Sequence, residues 1–260
     1  MSGRVALVTG AARGIGAATV HVLDADGWSV VAVDRAADDP RLGYPMGSRT
    51  ELEQVCAAAR DAVPVDADVS DFGAVRDAVS QAERRFGGLD AVICCAGVMG
   101  GGARAWEVDP EVERALLEVN LGGVLHCARA GIPALLRRPA PRTGRFLAVA
   151  SAAAVRGLPQ LAAYCASKAG VAGLVRALAV ELRGTGVTAN AVAPGSTDTP
   201  MLAETARLYG LEGAAAFAAQ QPIERLLAPE EVAAMLVWLA GVGAGGITGA
   251  LLPVDGGLMV

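Results

Sequence analysis

The chain lacks any excess of basic residues: 22 Lys and Arg stand against 27 Asp and Glu, a formal net charge of −5. Nothing in that balance favours nucleic acid or an acidic membrane surface as a partner. Histidine is scarce, and the only two, His21 and His126, lie too far apart in sequence to show metal-ligand spacing. Five cysteines, an odd number without a CxxC pair, argue against both a disulfide framework and a zinc site and suit a reducing compartment, with Cys94 and Cys95 expected in the core. No charged region followed by a long apolar one precedes the first core strand at residue 4, so a cytoplasmic location is expected. The longest uncharged run, 232–254, carries Gly241, Gly245 and Gly249 at the spacing of packed membrane helices. Glycines and Pro253 interrupt it, and it reads as a helix to about Ala240, a glycine turn and a buried strand over 250–254. Arg137, Arg138, Arg142 and Arg145 cluster, but among Pro139, Pro141 and Gly144, as in a solvated loop. Internal repeats and low-complexity linkers are also missing.

The chain does have 260 residues, 53% of them apolar, enough for one large core and one domain spanning 1–260. Apolar runs near 4–9, 29–34, 64–68, 89–95, 145–150, 187–192 and 250–254 alternate with helix-length segments. That alternation predicts an α/β fold of the doubly wound, Rossmann type, with a seven-stranded parallel sheet flanked by helices and a ligand at the carboxyl ends of the strands. Ser48 to Glu51 fits a capping box, and Asp109-Pro110 an N-cap and first-turn pair.

At the N-terminus the strand Arg4–Thr9 runs straight into Gly10-Ala11-Ala12-Arg13-Gly14-Ile15-Gly16 and an Ala-rich helix. Glycines permit a tight turn and close approach of backbone to ligand, and the free N–H groups of the new helix favour a pyrophosphate. The second strand ends in Asp34, eighteen residues after Gly16, at a ribose-binding position. A carboxylate there accepts hydrogen bonds from a ribose diol and repels a 2′-phosphate, so NAD is expected; Arg13 and Arg35 nearby leave NADP open.

Farther along, Tyr164-Cys165-Ala166-Ser167-Lys168 follows Ser151 by thirteen residues. Residues four apart share a helix face, so Lys168 can bring its charge near the Tyr164 hydroxyl. An ammonium in that place would lower the phenol's pKa from its usual value of about 10 toward working pH. Phenol, ammonium and hydroxyl around one reacting oxygen amount to acid–base chemistry: a hydride leaving carbon needs its hydroxyl proton removed.

The glycines at 10, 14 and 16, Asn120, Ser151, and Tyr164 with Lys168 together resemble the short-chain dehydrogenase/reductase family over the whole chain. The resemblance implies that Tyr164 exchanges a proton with the substrate oxygen, Ser151 hydrogen-bonds that oxygen, Lys168 also binds the nicotinamide ribose, and Asn120 holds a water beside Lys168. It further implies adenine contacts at Asp68 and Val69 and a nicotinamide contact along Pro194-Gly195-Ser196-Thr197-Asp198-Thr199. One segment departs, with Cys95-Ala96-Gly97 where the family carries Asn-Ala-Gly, which puts a local hydrogen bond in doubt. Family habit suggests a homotetramer.

Between Ala36 and Arg49 the chain makes a long loop, and its Tyr44-Pro45-Met46 resembles the mycofactocin-associated branch, which holds its nicotinamide cofactor without ready exchange and takes mycofactocin as electron acceptor. Residues 199–222, with Met201, Leu202, Tyr209 and Phe217, are expected to form a substrate lid, favouring a hydrophobic secondary alcohol. Two rival readings are an NADPH-dependent 3-oxoacyl carrier-protein reductase, which Asp34 and the acidic balance disfavour, and a non-catalytic dinucleotide sensor or scaffold. The latter would be expected to lose some of Asn120, Ser151, Tyr164 and Lys168, and all four are present.

Overall fold

Short runs of Val, Ala, Leu and Ile form seven strands: β1 (Val5–Thr9), β2 (Ser29–Asp34), β3 (Ala62–Asp66), β4 (Ala91–Cys94), β5 (Arg145–Val149), β6 (Thr188–Pro194) and β7 (Leu251–Val254). In the computed structural model, which describes residues 3–260, all pair in parallel in the order β3-β2-β1-β4-β5-β6-β7. The helices are α1 (Gly14–Ala25), α2 (Arg49–Ala57), α3 (Phe72–Phe86), α4 (Pro110–Leu117), α5 (Gly123–Arg137), α6 (Ala162–Glu181), α7 (Pro200–Leu208) and α8 (Pro229–Ala240). Strand side chains alternate between two apolar layers. Val5, Leu7, Val31 and Val33 face Val75 of α3, Val124 of α5 and Val171 of α6, while Ala6, Val8, Val30 and Ala32 face Val20 of α1, Leu52 of α2 and Leu236 of α8. A sheet covered on both sides explains why its strands read as continuous apolar runs.

The strand order reverses between β1 and β4, so the crevice expected for a ligand opens at their carboxyl ends. The capping box at Ser48 is formed, with the Ser48 hydroxyl accepting from the Glu51 N–H and the Glu51 carboxylate accepting from the Ser48 N–H. Asp109 caps α4 as expected, accepting from the Glu111 N–H with Pro110 in the first turn.

Several expectations need correction. The third strand begins two residues earlier than 64: as an edge strand, β3 tolerates Pro64, whose missing N–H costs no ladder bond there. The sixth runs on to Pro194, which pairs with Val254. The arginine cluster is not one solvated loop. Arg145 belongs to β5, is 2% exposed, and donates to the carbonyls of Gly144, Gly241 and Val242, where a cation satisfies acceptors left over at the end of α8. Arg138 pairs with Asp90. The uncharged run 232–254 resolves into the end of α8, a turn and β7 as expected, but β7 is an edge strand with Pro253 exposed and its other residues half-buried, not a buried strand. Two other segments, Pro110–Arg137 and Ala162–Glu181, are long and apolar enough to cross a bilayer by composition, yet both pack against the sheet through the apolar layer that holds Val124 and Val171.

Replacing Arg145 by Ala would orphan those carbonyls and open a void. We expect a loss of about 2–4 kcal/mol in unfolding free energy, measured by urea denaturation; an unchanged midpoint would remove Arg145 from the structural core.

Candidate active site

The turn after β1 is shaped by lack of room. Gly10 sits at φ +67, where a Cβ would come within 2.7 Å of the Ala96 backbone, and a Cβ on Gly16 would lie 2.0 Å from the Gly10 carbonyl oxygen. Only glycine fits at these points, and the helix that follows starts without a side-chain cap, so its first N–H groups remain for an anion. Asp34, at the end of β2, accepts from the N–H groups of Ala12 (3.0 Å) and Ala36 (3.1 Å), which fixes its carboxylate beside the turn. Arg35 is engaged by Asp39 (2.9 Å) and Asp68 (3.3 Å), and Arg13 donates to the Pro45 carbonyl. Neither arginine is idle, which weakens the case for a 2′-phosphate.

Opposite lies the pair from α6. Lys168 is 3% exposed and donates to the Val149 carbonyl at 2.9 Å, and its Nζ sits 5.8 Å from the centre of the Tyr164 ring. Ser151, two residues beyond Val149, accepts from the Ala153 N–H and starts a short turn over Ala152–Ala154. Burial pushes the Tyr164 phenol up to about 12, against the Ser151 hydroxyl, which pulls it down. Burial also pushes the Lys168 ammonium down to about 8. Burial dominates at both groups, so the lowering of the Tyr164 pKa expected from Lys168 does not appear in the protein alone.

Asn120 lies behind Lys168 rather than on the cavity lining. A π-helical turn, Glu118–Gly122, joins α4 to α5 and carries Asn120 fully buried, off the cavity wall. Its side chain accepts from the Val98 N–H (2.7 Å), donates to the Val98 carbonyl (3.0 Å) and reaches the Ser167 hydroxyl (3.3 Å). These bonds hold the chain after β4 against α6. A Cβ added to Gly97 would lie 3.2 Å from Asn120 Oδ1 and 3.4 Å from Lys168 Nζ, so glycine keeps this junction open. Where an Asn was expected, Cys95 is packed beside Thr19, and burial pushes its thiol to about 12. The next N–H, of Ala96, donates instead to the Thr9 hydroxyl.

One cavity of about 490 Å³ collects all the remaining predicted residues: Gly10, Arg13, Gly14, Ile15, Gly16, Asp34, Arg35, Asp68, Val69, Ala96, Gly97, Ser151, Tyr164, Lys168, Pro194, Gly195, Thr197 and Thr199. The glycine turn and the 194–199 segment meet at its centre, where a Cβ on Gly14 would lie 3.3 Å from the Thr199 methyl. A dinucleotide fits this donor set, with bare N–H groups and glycine cradle for phosphates and a fixed carboxylate for a ribose diol. Met201, Leu202, Tyr209 and Phe217 also line the cavity, with the Tyr209 hydroxyl donating to the Pro159 carbonyl. Sequence reasoning missed Arg156, Leu158, Gln220 and Leu258, which also line it. No local pattern marks them, since tertiary packing alone brings them there.

The profile of a family described as enoyl-(acyl carrier protein) reductase matches residues 10–259. The chain belongs to the short-chain dehydrogenase/reductase family. It is 40% identical over 262 residues, 98% of the chain and 96% of the relative, to cis-4-hydroxycyclohexanecarboxylate dehydrogenase of Sinomonas cyclohexanicum. It is 36% identical to a putative ketoacyl reductase of Streptomyces coelicolor, covering 98% of the chain and 96% of that protein. Carveol dehydrogenase from Mycobacterium avium, solved in complex with NAD, superposes with a TM-score of 0.93 at 30% identity, covering 100% of this chain and 98% of that one. This short-chain dehydrogenase/reductase therefore has the fold expected of its sequence, with Ser151, Tyr164 and Lys168 lining one cavity.

The buried Lys168 gives a signed prediction. With the folded pKa at about 8 and the usual value at 10.5, the unfolded chain binds more protons between these limits, so folding stability attributable to Lys168 rises with pH across that window. Below pH 8 the full burial cost is present. The melting temperature of the parent should therefore rise relative to Lys168→Met between pH 8 and 10.5, and a constant difference would refute the burial argument.

Proposed function

We propose that the protein is an NAD-dependent oxidoreductase interconverting a hydrophobic secondary alcohol and its ketone. The observation that carries this reading is the convergence of Ser151, Tyr164 and Lys168 on the wall of a cavity whose other end is apolar. NAD, when bound, accepts the hydride from the carbinol carbon or returns it. The chain's own residues do the rest. Ser151 Oγ hydrogen-bonds the substrate oxygen, Tyr164 Oη takes or gives its proton, and Lys168 Nζ, anchored on the Val149 carbonyl, offers its remaining donors to the nicotinamide ribose. Asp34 holds the adenosine ribose, Asp68 and Val69 border the adenine, and Thr197 and Thr199 border the nicotinamide. Asn120 positions the Val98 backbone and Ser167 behind Lys168. Residues 199–222, from α7 to the turn at Ala214–Gln220, act as the lid.

A finer reading concerns cofactor exchange. The 36–49 loop is tied down at several points: the Met99 N–H donates to the Tyr44 hydroxyl at 3.0 Å, the Met46 N–H to Asp38, and buried Asp39 binds both Arg35 and Arg41. Such a strap would slow cofactor release and require an external acceptor, the role mycofactocin would fill. A reductase acting on a carrier-bound ketone shares the reacting groups, and the cofactor choice separates the two: Asp34 with Arg35 already paired favours NAD over NADP. The exposed Leu117, Leu125 and Val180 of α4, α5 and α6 support packing of these helices between subunits of a homotetramer.

Tyr164→Phe should cut kcat for oxidation of a cyclic secondary alcohol by about 10²–10⁴-fold while leaving NAD binding measurable; near-parental turnover would remove the mechanism. For the strap, NAD should remain with the protein through desalting, and a dye acceptor should give faster steady turnover than added free NAD. Free exchange would refute it.

A further inference from the structure

Arg156 is a cation that the proposed reaction does not use. Of the six charged side chains lining the cavity, Arg13, Asp34, Arg35 and Asp68 lie at the adenosine end and Lys168 beside Tyr164, which leaves Arg156. Its N–H donates to the Ala152 carbonyl, so it sits one helical turn beyond Ala152, roughly 6 Å along from the start of the Ser151 turn. Its Nη1 donates to the Leu258 carbonyl at 2.9 Å, which ties the guanidinium to the C-terminal turn. Leu258 itself lines the wall there, with Leu158 and Tyr209. Among the described residues Arg156 makes no ion pair, whereas Arg35, Arg41, Arg138, Arg207 and Arg225 each have a carboxylate. A guanidinium has more N–H donors than the one used here, in a fork that matches a carboxylate.

We propose that Arg156 binds an anionic carboxylate on the substrate, so that the preferred substrate is an apolar secondary alcohol or ketone carrying a carboxylate away from the reacting carbon. This deepens the dehydrogenase reading and rests on it for the position of the reacting oxygen. An otherwise apolar wall with a single tethered cation selects for a skeleton that is greasy throughout except at one anionic end. It disfavours both a wholly neutral terpenoid and a polyhydroxylated sugar. Arg156 is exposed at the cavity mouth, and its bond to the Leu258 carbonyl restrains the guanidinium before substrate arrives, which lowers the ordering cost that an untethered arginine would incur.

The test uses binding, so that it does not depend on turnover. Titration calorimetry of the NAD-loaded protein with cyclohexanecarboxylate and with its methyl ester should show the acid binding roughly 2–5-fold more tightly. Arg156→Met should abolish that preference, Arg156→Lys should keep part of it, and raising salt should shrink it in the parent. Equal affinity for acid and ester in the parent, or a preference that survives in Arg156→Met, would overturn the assignment. Turnover is read separately: a parent protein that binds the acid with this preference but oxidises no secondary alcohol would retain the Arg156 site and lose the dehydrogenase reading.

Discussion

A buried ammonium governs the site. Lys168 is withdrawn from water on α6 and finds one protein acceptor, the Val149 carbonyl at the end of β5. Burial of a charge is costly unless it is hydrogen-bonded, so this contact fixes how α6 meets the sheet. The same contact sets the chemistry. Val149 is two residues before Ser151, and Tyr164 is one turn before Lys168, so one hydrogen bond registers phenol, ammonium and hydroxyl against each other. Asn120 supports the arrangement from behind through the Val98 backbone and the Ser167 hydroxyl.

The protein alone does not make Tyr164 a good base. Burial holds the phenol near 12 and leaves Lys168 near 8, a pair with the proton firmly on the tyrosine. A poised state requires further positive charge near the phenol, which the oxidised nicotinamide of a bound NAD would supply. Withdrawal of both groups from water, which disfavours the phenolate and the ammonium alike, also strengthens the interactions each makes inside the protein.

Local chemistry was legible in the sequence and long-range packing was not. The glycine turn, Asp34, the Ser48 capping box and the Asp109-Pro110 start could be read because each depends on residues a few positions apart. The sheet followed from the alternation of strands and helices, although Pro64 misplaced the start of β3 because nothing in the sequence marks it as an edge strand. Arg145 was misread for a related reason: its neighbours are loop formers, but its partners are carbonyls about a hundred residues away. Asn120 could be singled out by its motif, while its hold on Val98 depends on a π turn that no periodicity announces. Arg156 and Leu258 meet only in the folded chain.

The most direct measurement is the titration of Tyr164 itself. The chain has three tyrosines, so ¹³C-labelled tyrosine NMR with Tyr164→Phe for assignment isolates its signal. The account predicts a phenol that stays protonated well past the ordinary tyrosine value of about 10 in the protein alone, and that titrates at least about 2 units lower once NAD is bound. A Tyr164 that titrates near 10 in both states would show that neither burial nor a neighbouring cation sets its acidity, and the account would fail.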